Sequence, residues 1–138
     1  AQVNLITIFS EKIMSEDYFL QHTPFVVPTT DGKLIEEHVG RVSTMETNLS
    51  VAHMVAPPGW SEPHQNPEFD EYTLMVRGRK QIEINGETVT LKSGQSLLVK
   101  KGSRVQYSNP FQEEAEYWSV CMPAFCLESV NRENDSTT

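Results

Sequence analysis

Cysteine is scarce in this 138-residue chain: Cys121 and Cys126, within VCMPAFC, are the only two. They match no C-x-x-C spacing of a metal or redox site, and two thiols cannot build the disulfide framework of a small secreted domain. Their apolar neighbours predict buried, reduced thiols, and with them a cytoplasmic setting. Basic charge is scarce too. Eleven Lys and Arg stand against 19 Asp and Glu, a net charge of −8. That balance argues against binding through phosphate-backbone contacts, which needs clustered cations, and against attraction to anionic membranes. No apolar run approaches the roughly 20 residues that span a bilayer. The opening AQVNLITIFSEK lacks a cationic stretch before a long apolar core and does not read as a secretory signal. Neither nucleic acid nor a membrane is therefore an expected partner. Helical signals are confined to SEKIMSEDYFL, where Ser10 or Ser15 offers a cap for one short helix.

What is present is a series of short strand signals. GKLIEEHVGRV, NLSVAHMVA and EYTLMVRG have the length and β-branched content of strands. KQIEINGETVTL is the clearest hairpin: Ile82 and Ile84 alternate with polar residues, Asn85-Gly86 suits a type I′ turn, and Val89 and Leu91 resume the alternation. QSLLVKKGSRVQYSNP gives two short strands about Lys101-Gly102, and AEYWSVCMPAF a last one. Many short strands with Gly and Pro between them mean an all-β sandwich or barrel, with a jelly roll of two packed antiparallel sheets as the natural candidate. The length suits one domain. The expected division is an N-terminal extension over residues 1–30, a barrel over 31–127 and a polar tail over 128–138.

The stretch PPGWSEPHQNPEFDEYTLMVRG carries the most chemistry. The order Gly59, His64, Glu71, Gly78, then Gly94, Gly102 and Asn109 resembles the two-motif signature of the cupin family. The first motif of that family is Gly, about five residues, His-x-His, three or four residues, Glu, six residues, Gly. Here it is set as Gly59-WSEP-His64-Gln-Asn66-PEFD-Glu71-YTLMVR-Gly78. The second motif is set as Gly94-QSLLV-Lys100-Lys-Gly102-SR-Val105-QYS-Asn109. The resemblance implies a small jelly-roll barrel, often a homodimer, with one divalent metal held inside by the motif histidines and Glu. In this setting Asn66 and Val105 replace two of the four ligands. His64 and Glu71 remain, which implies no metal or a weakly held divalent transition metal, with His53 and Glu62 as possible extra ligands. His53 reads more readily as a packed or surface histidine than as a ligand.

Alternation sketches the pocket. If Glu71 points inward, Thr73, Met75 and Arg77 follow, and Tyr107 follows Val105. The resemblance favours Trp118 and Val120 inward. Asn66, Met75 and Trp118 are then expected to touch a small-molecule ligand, although Met75, Tyr107 and Trp118 also suit plain core filling. Two functions remain open. One is an isomerase, epimerase or lyase acting on a small polar metabolite such as a sugar or carboxylic acid. In a metal-free version His64 would be the base, Glu71 its orienting charge and Tyr107 the acid, similar to sugar epimerases of the wider superfamily. The other is a non-catalytic ligand-binding or sensor barrel with a degraded metal site. Tyr72, Leu74 and Val76 should form an outward apolar face, which, with the NLITIF segment, predicts a homodimer.

Overall fold

The computed structural model of the protein describes residues 17–133. Nine strands form, eight of them where the alternation and turn signals place them. They are β1 (Phe25–Val26), β2 (Leu34–Val39), β3 (Ser50–Ala56), β4 (Asp70–Arg77), β5 (Arg79–Ile84), β6 (Glu87–Lys92), β7 (Ser96–Val99), β8 (Val105–Ser108) and β9 (Ala115–Met122). Of these, β1 falls in the stretch read as the extension. One 3-10 turn, Leu127–Ser129, follows. The short helix expected over residues 10–20 lies mostly outside the described residues, and its described part is not helical. Among the described residues no helix is long and apolar enough to cross a membrane.

The strands pair antiparallel in two sheets, ordered β1-β2-β3-β9-β4-β7 and β6-β5-β8. The chain passes from one sheet to the other at Gly78, between β4 and β5. There φ is +76°, and a side-chain carbon would meet the Glu114 carbonyl oxygen, so the crossing needs glycine. Asn85 and Gly86 both take positive φ and fold β6 back on β5 from the pair Ile84↔Glu87 onward, as an Asn-Gly hairpin should.

Alternation then sorts the faces. On β4, Thr73 and Met75 are buried while Tyr72, Leu74 and Val76 are exposed. On β8, Val105 and Tyr107 are buried. On β9 the buried residues are Ala115, Tyr117, Ser119 and Cys121, which leaves Trp118 and Val120 on the outer face. The expectation that Trp118 and Val120 point inward is corrected by the pairing. Ser119 sits opposite Ala52 and Thr73, both buried, whereas Trp118 sits opposite His53 and Leu74. A slip of one residue along a strand exchanges its two faces. Arg77 also turns outward, because a bulge falls between Met75 and Arg77, and it pairs there with Glu114 and Glu116.

Trp60, Met75, Ile82, Leu91, Val105, Tyr107 and Tyr117 make most of the main core. A second cluster joins Phe69, Cys121 and Val130, with Phe125 against it. Val130 lies in the stretch read as a polar tail, yet it is buried. The backbone around it is tied to the loop before β4: Asn66 N–H donates to Val130 O, Glu68 N–H to Ser129 O, and Glu133 N–H to His64 O. Satisfied backbone groups and one apolar anchor hold this otherwise polar strap in place.

Candidate functional site

The loop between β3 and β4 carries the first motif, and its side chains are sorted by pairing with β8. Gln65 and Val105 exchange both backbone hydrogen bonds, at 2.9 and 2.8 Å, so their side chains share one face. That face is the interior: Gln65 and Pro67 are buried, His64 is half-buried and Asn66 is exposed. His64 turns away from the cavity, with Nε2 3.3 Å from Glu83 Oε2 on β5. The motif setting chosen from sequence is thus one residue off. With five residues after Gly59, the two histidine positions fall on Gln65 and Pro67, with three residues between Pro67 and Glu71. His64 and Glu71 do not meet, and neither His64 nor Asn66 lines the cavity that holds Glu71.

The donor set at the four ligand positions is therefore Gln65, Pro67, Glu71 and Val105. One carboxylate and one neutral amide do not suit a transition metal, for which catalytic sites supply about three protein donors. Among the described residues no three His, Cys, Asp or Glu side chains are grouped to hold an ion. His53, weighed as an extra ligand, faces outward. Its two ring nitrogens each lie 2.8 Å from a carboxylate oxygen, of Glu36 and Glu116, and its ring stands against Trp118 at 5.0 Å between centroids. Met75 and Tyr107 point inward as expected, but both are packed in the main core rather than on the wall of the cavity.

The cavity itself measures about 370 Å³. Its floor is the inward face of four adjacent strands: Ile35 and Glu37 of β2, Ala52 and Met54 of β3, Ser119 and Cys121 of β9, and Glu71 of β4. Residues 27–30, placed by sequence in the extension, line one side, and Phe125, Leu127 and Arg132 line another. Glu71 accepts a 2.6 Å hydrogen bond from Ser119 Oγ. Glu62, the other residue weighed as an extra ligand, does reach the wall.

Sequence reasoning missed the cations. Lys33 is buried on the wall, with its Nζ 4.2 Å from the centre of the Trp60 ring. Burial alone would lower its pKa; the Tyr117 hydroxyl and the Glu62 and Glu71 carboxylates outweigh that and hold it above the ordinary lysine value. Trp60 Nε1–H in turn donates to Asp31 Oδ2 at 2.7 Å. Burial would raise the Asp31 carboxyl, but the bonds from Trp60 and the Lys33 backbone keep it below the usual range. Lys80, 1% exposed, places its ammonium 3.7 Å from the Tyr117 ring centre and 4.2 Å from that of Tyr107, a desolvated cation–π arrangement.

Burial pushes the Glu62 carboxyl upward and Glu71 adds to it, while Lys33, Arg132 and Lys80 oppose. Burial, and then the Glu71 charge, push both the Tyr107 hydroxyl and the Cys121 thiol well above their ordinary values. Cys121 is thus a neutral thiol, without the thiolate character of a nucleophile. The hydroxyls of Tyr107 and Tyr117 are buried without a partner at full hydrogen-bond geometry, with the Lys80 ammonium over both rings. The arrangement sets a hydrogen-bonded carboxylate, a carboxyl whose pKa burial raises and an ammonium around one small cavity. Carboxyl groups in contrasting environments are the usual makings of paired base and acid.

The Cupin domain family model matches residues 52–121, about half of the chain. The chain belongs to the cupin family. Solved structures agree on the fold. This cupin superposes on Streptomyces PAC13, solved with uridine, with a TM-score of 0.67 at 14% identity, covering 86% of this chain and 91% of that one. A Cupin 2 conserved barrel domain protein from Salinispora arenicola gives a TM-score of 0.59 at 19% identity, over 70% of this chain and 80% of that one. Among curated relatives, a Myxococcus xanthus protein named endoribonuclease YbeY is 46% identical over 108 residues, 78% of this cupin but 37% of the relative. The tetracenomycin polyketide synthase protein TcmJ of Streptomyces glaucescens is 31% identical over 64 residues, 46% of this chain and 43% of TcmJ. The chain thus spans less than half the length of these curated relatives.

Proposed function

We propose that this cupin is an acid–base enzyme of the isomerase or lyase type, working without a metal on a small polar metabolite such as a sugar or a carboxylic acid. The observation that carries the reading is the convergence of Glu71, seated on Ser119, and the buried Lys33 ammonium on one cavity. Glu71 removes a proton from carbon next to a carbonyl group. Lys33 stabilises the negative charge that develops on the carbonyl oxygen, which a preorganised cation does best away from water. Glu62, whose carboxyl burial shifts toward the protonated form, returns a proton to the former carbonyl carbon in an isomerisation, while the hydroxyl proton of the adjacent carbon passes to the former carbonyl oxygen. In an elimination Glu62 protonates a departing hydroxyl, which leaves as water. His64 and Tyr107 take no part in this scheme.

The test is exchange of carbon-bound hydrogen for deuterium in heavy water, followed by NMR over a panel of aldoses, ketoses and 2-oxo acids. Uridine joins the panel because the similar PAC13 barrel was solved with it. Glu71→Gln should lower exchange about 10²- to 10⁴-fold, the usual contribution of a positioned base, while ligand binding persists. No exchange with any compound would overturn the reading. The second reading is a ligand-holding or sensor barrel without turnover. It is favoured by Gln65, Pro67 and Val105, which remove metal ligation but leave the cavity intact.

The ribonuclease activity in the name of the Myxococcus relative finds no support in a chain of net charge −8. The two free cysteines fit a reducing, cytoplasmic setting. A homodimer fits the outer face of the larger sheet, where Tyr72 and Leu98 lie opposite each other beside Leu74 and Val76, all exposed.

A further inference from the structure

The strap after β9 brings a guanidinium to the cavity. Arg132 bridges to Gln65 through the backbone, and its Nε–H donates to Gln65 Oε1 at 3.3 Å. Its Nη2 lies 3.6 Å from Glu62 Oε2, an ion pair without hydrogen-bond geometry. Among the described residues the rest of the guanidinium fork is open. Its side chain is 34% exposed while that of Glu62 is 12% exposed, so the group stands between cavity and solvent. Lys33 is the second cation on the same wall.

We propose that the cavity takes a monocarboxylate ligand, and that Arg132 is the residue that recognises its charge. This names the substrate class and rests on the acid–base reading only for the chemistry after binding. A carboxylate matches the planar fork of arginine with two parallel hydrogen bonds, a better arrangement than the loose contact with Glu62. Lys33 offers a second, longer-range attraction. Glu71, Asp31 and Glu37 remain as acidic groups on the wall, which disfavours a dianion and so favours one carboxylate over a phosphate.

Exchange of partners has a consequence for Glu62. The groups acting on its carboxyl are the cations Lys33, Arg132 and Lys80 and the anion Glu71. When the ligand draws Arg132 away, one of the three cations that oppose protonation is lost. Ligand binding should therefore be accompanied by proton uptake at Glu62, which arms the proposed acid at the moment the site fills.

The probes are benzoate and benzamide, two molecules of nearly equal shape that differ in charge, measured by titration calorimetry at neutral pH. Benzoate should bind about tenfold more tightly than benzamide, the value of one charge-assisted pair. Arg132→Gln should remove that preference with benzamide affinity unchanged, which shows that the fold and cavity survive. Arg132→Lys should restore part of it, because it keeps the charge but not the fork. Calorimetry in buffers of different ionisation enthalpy should detect proton uptake with benzoate, absent in Glu62→Gln. The proposal is overturned if Arg132→Gln keeps the preference, if benzamide binds as well as benzoate, or if neither binds at millimolar concentration. If the preference holds while no hydrogen exchange is seen with any metabolite, the acid–base reading falls and carboxylate recognition stands.

Discussion

His64 and Gln65 are neighbours with opposite fates, and the difference decides the chemistry of the barrel. Histidine is the more reactive residue, and from sequence it attracts the motif to itself. Backbone pairing with Val105 gives the interior to Gln65 instead. His64→Ala should leave ligand binding unchanged and cost no more than about 1 kcal/mol, the range of a partly exposed ion pair, by urea denaturation. A marked loss of binding would return His64 to the site. The same register governs any attempt to build a metal centre. Gln65→His with Val105→His places two imidazoles on one inward face near Glu71, three donors in all, and should raise zinc affinity by orders of magnitude over the parent. Asn66→His with Val105→His should gain far less, because position 66 is exposed. Competition with a chromogenic chelator ranks the two variants, and equal gains would contradict the assigned register. The buried lysines were open to the alternation rule that found the strands. Lys80 stands two before Ile82, and Lys33 two before Ile35, each on the inward face of its strand pattern. Desolvation cost makes a buried ammonium an unexpected reading; the aromatic faces and carboxylates that compensate come from distant strands, which one sequence does not place.

Strand existence was the most legible feature, because alternation and the Asn85-Gly86 turn are local. Face assignment was legible on β4 as far as Met75, before the bulge that turns Arg77 outward, and not on β9, where the phase depends on pairing with β3 and β4. The strap after β9 was illegible for a related reason: Val130 is one apolar residue among polar ones, and its partners Phe69 and Cys121 are far away in sequence. The outer faces of β2, β3 and β9 are joined by His53 between Glu36 and Glu116. Burial works against the charged ring, but the bonds to Glu116 and Glu36 prevail and raise its pKa. A raised folded value means that stability from this ring is fully present below the ordinary histidine pKa near 6.5 and is lost as pH rises through the raised folded value. Glu116, held down chiefly by His53, acts oppositely: its share is lost as pH falls through its lowered folded value. Melting temperature should therefore fall as pH rises above about 6.5 in the parent, and this slope should flatten in His53→Gln. An unchanged slope would show that the titration lies elsewhere.

Across the whole molecule, charge and apolar surface are segregated. Among the described residues most acids lie at the surface, with Glu37 buried, while Lys33 and Lys80 are held inside. The outer face of the larger sheet gathers Tyr72, Leu74, Val76 and Leu98, more contiguous apolar surface than isolated exposed side chains explain. A homodimer through this face predicts a light-scattering mass of about twice the 15.7 kDa chain, and Leu74→Glu should halve it with the fold retained by circular dichroism. A parent mass near that of one chain at micromolar concentration would leave the face to some other use.

The two tryptophans are divided between the two regions that matter most. Trp60 lies under the Lys33 ammonium and bonds Asp31 beside the cavity, while Trp118 stands between His38 and His53 on the outer sheet. Each indole is thus a resident fluorophore with ionisable groups of its own beside it. Emission from Trp118→Phe reports on filling of the cavity, and emission from Trp60→Phe reports on imidazole titration outside it. The barrel can be read optically from within and from without, with no added label.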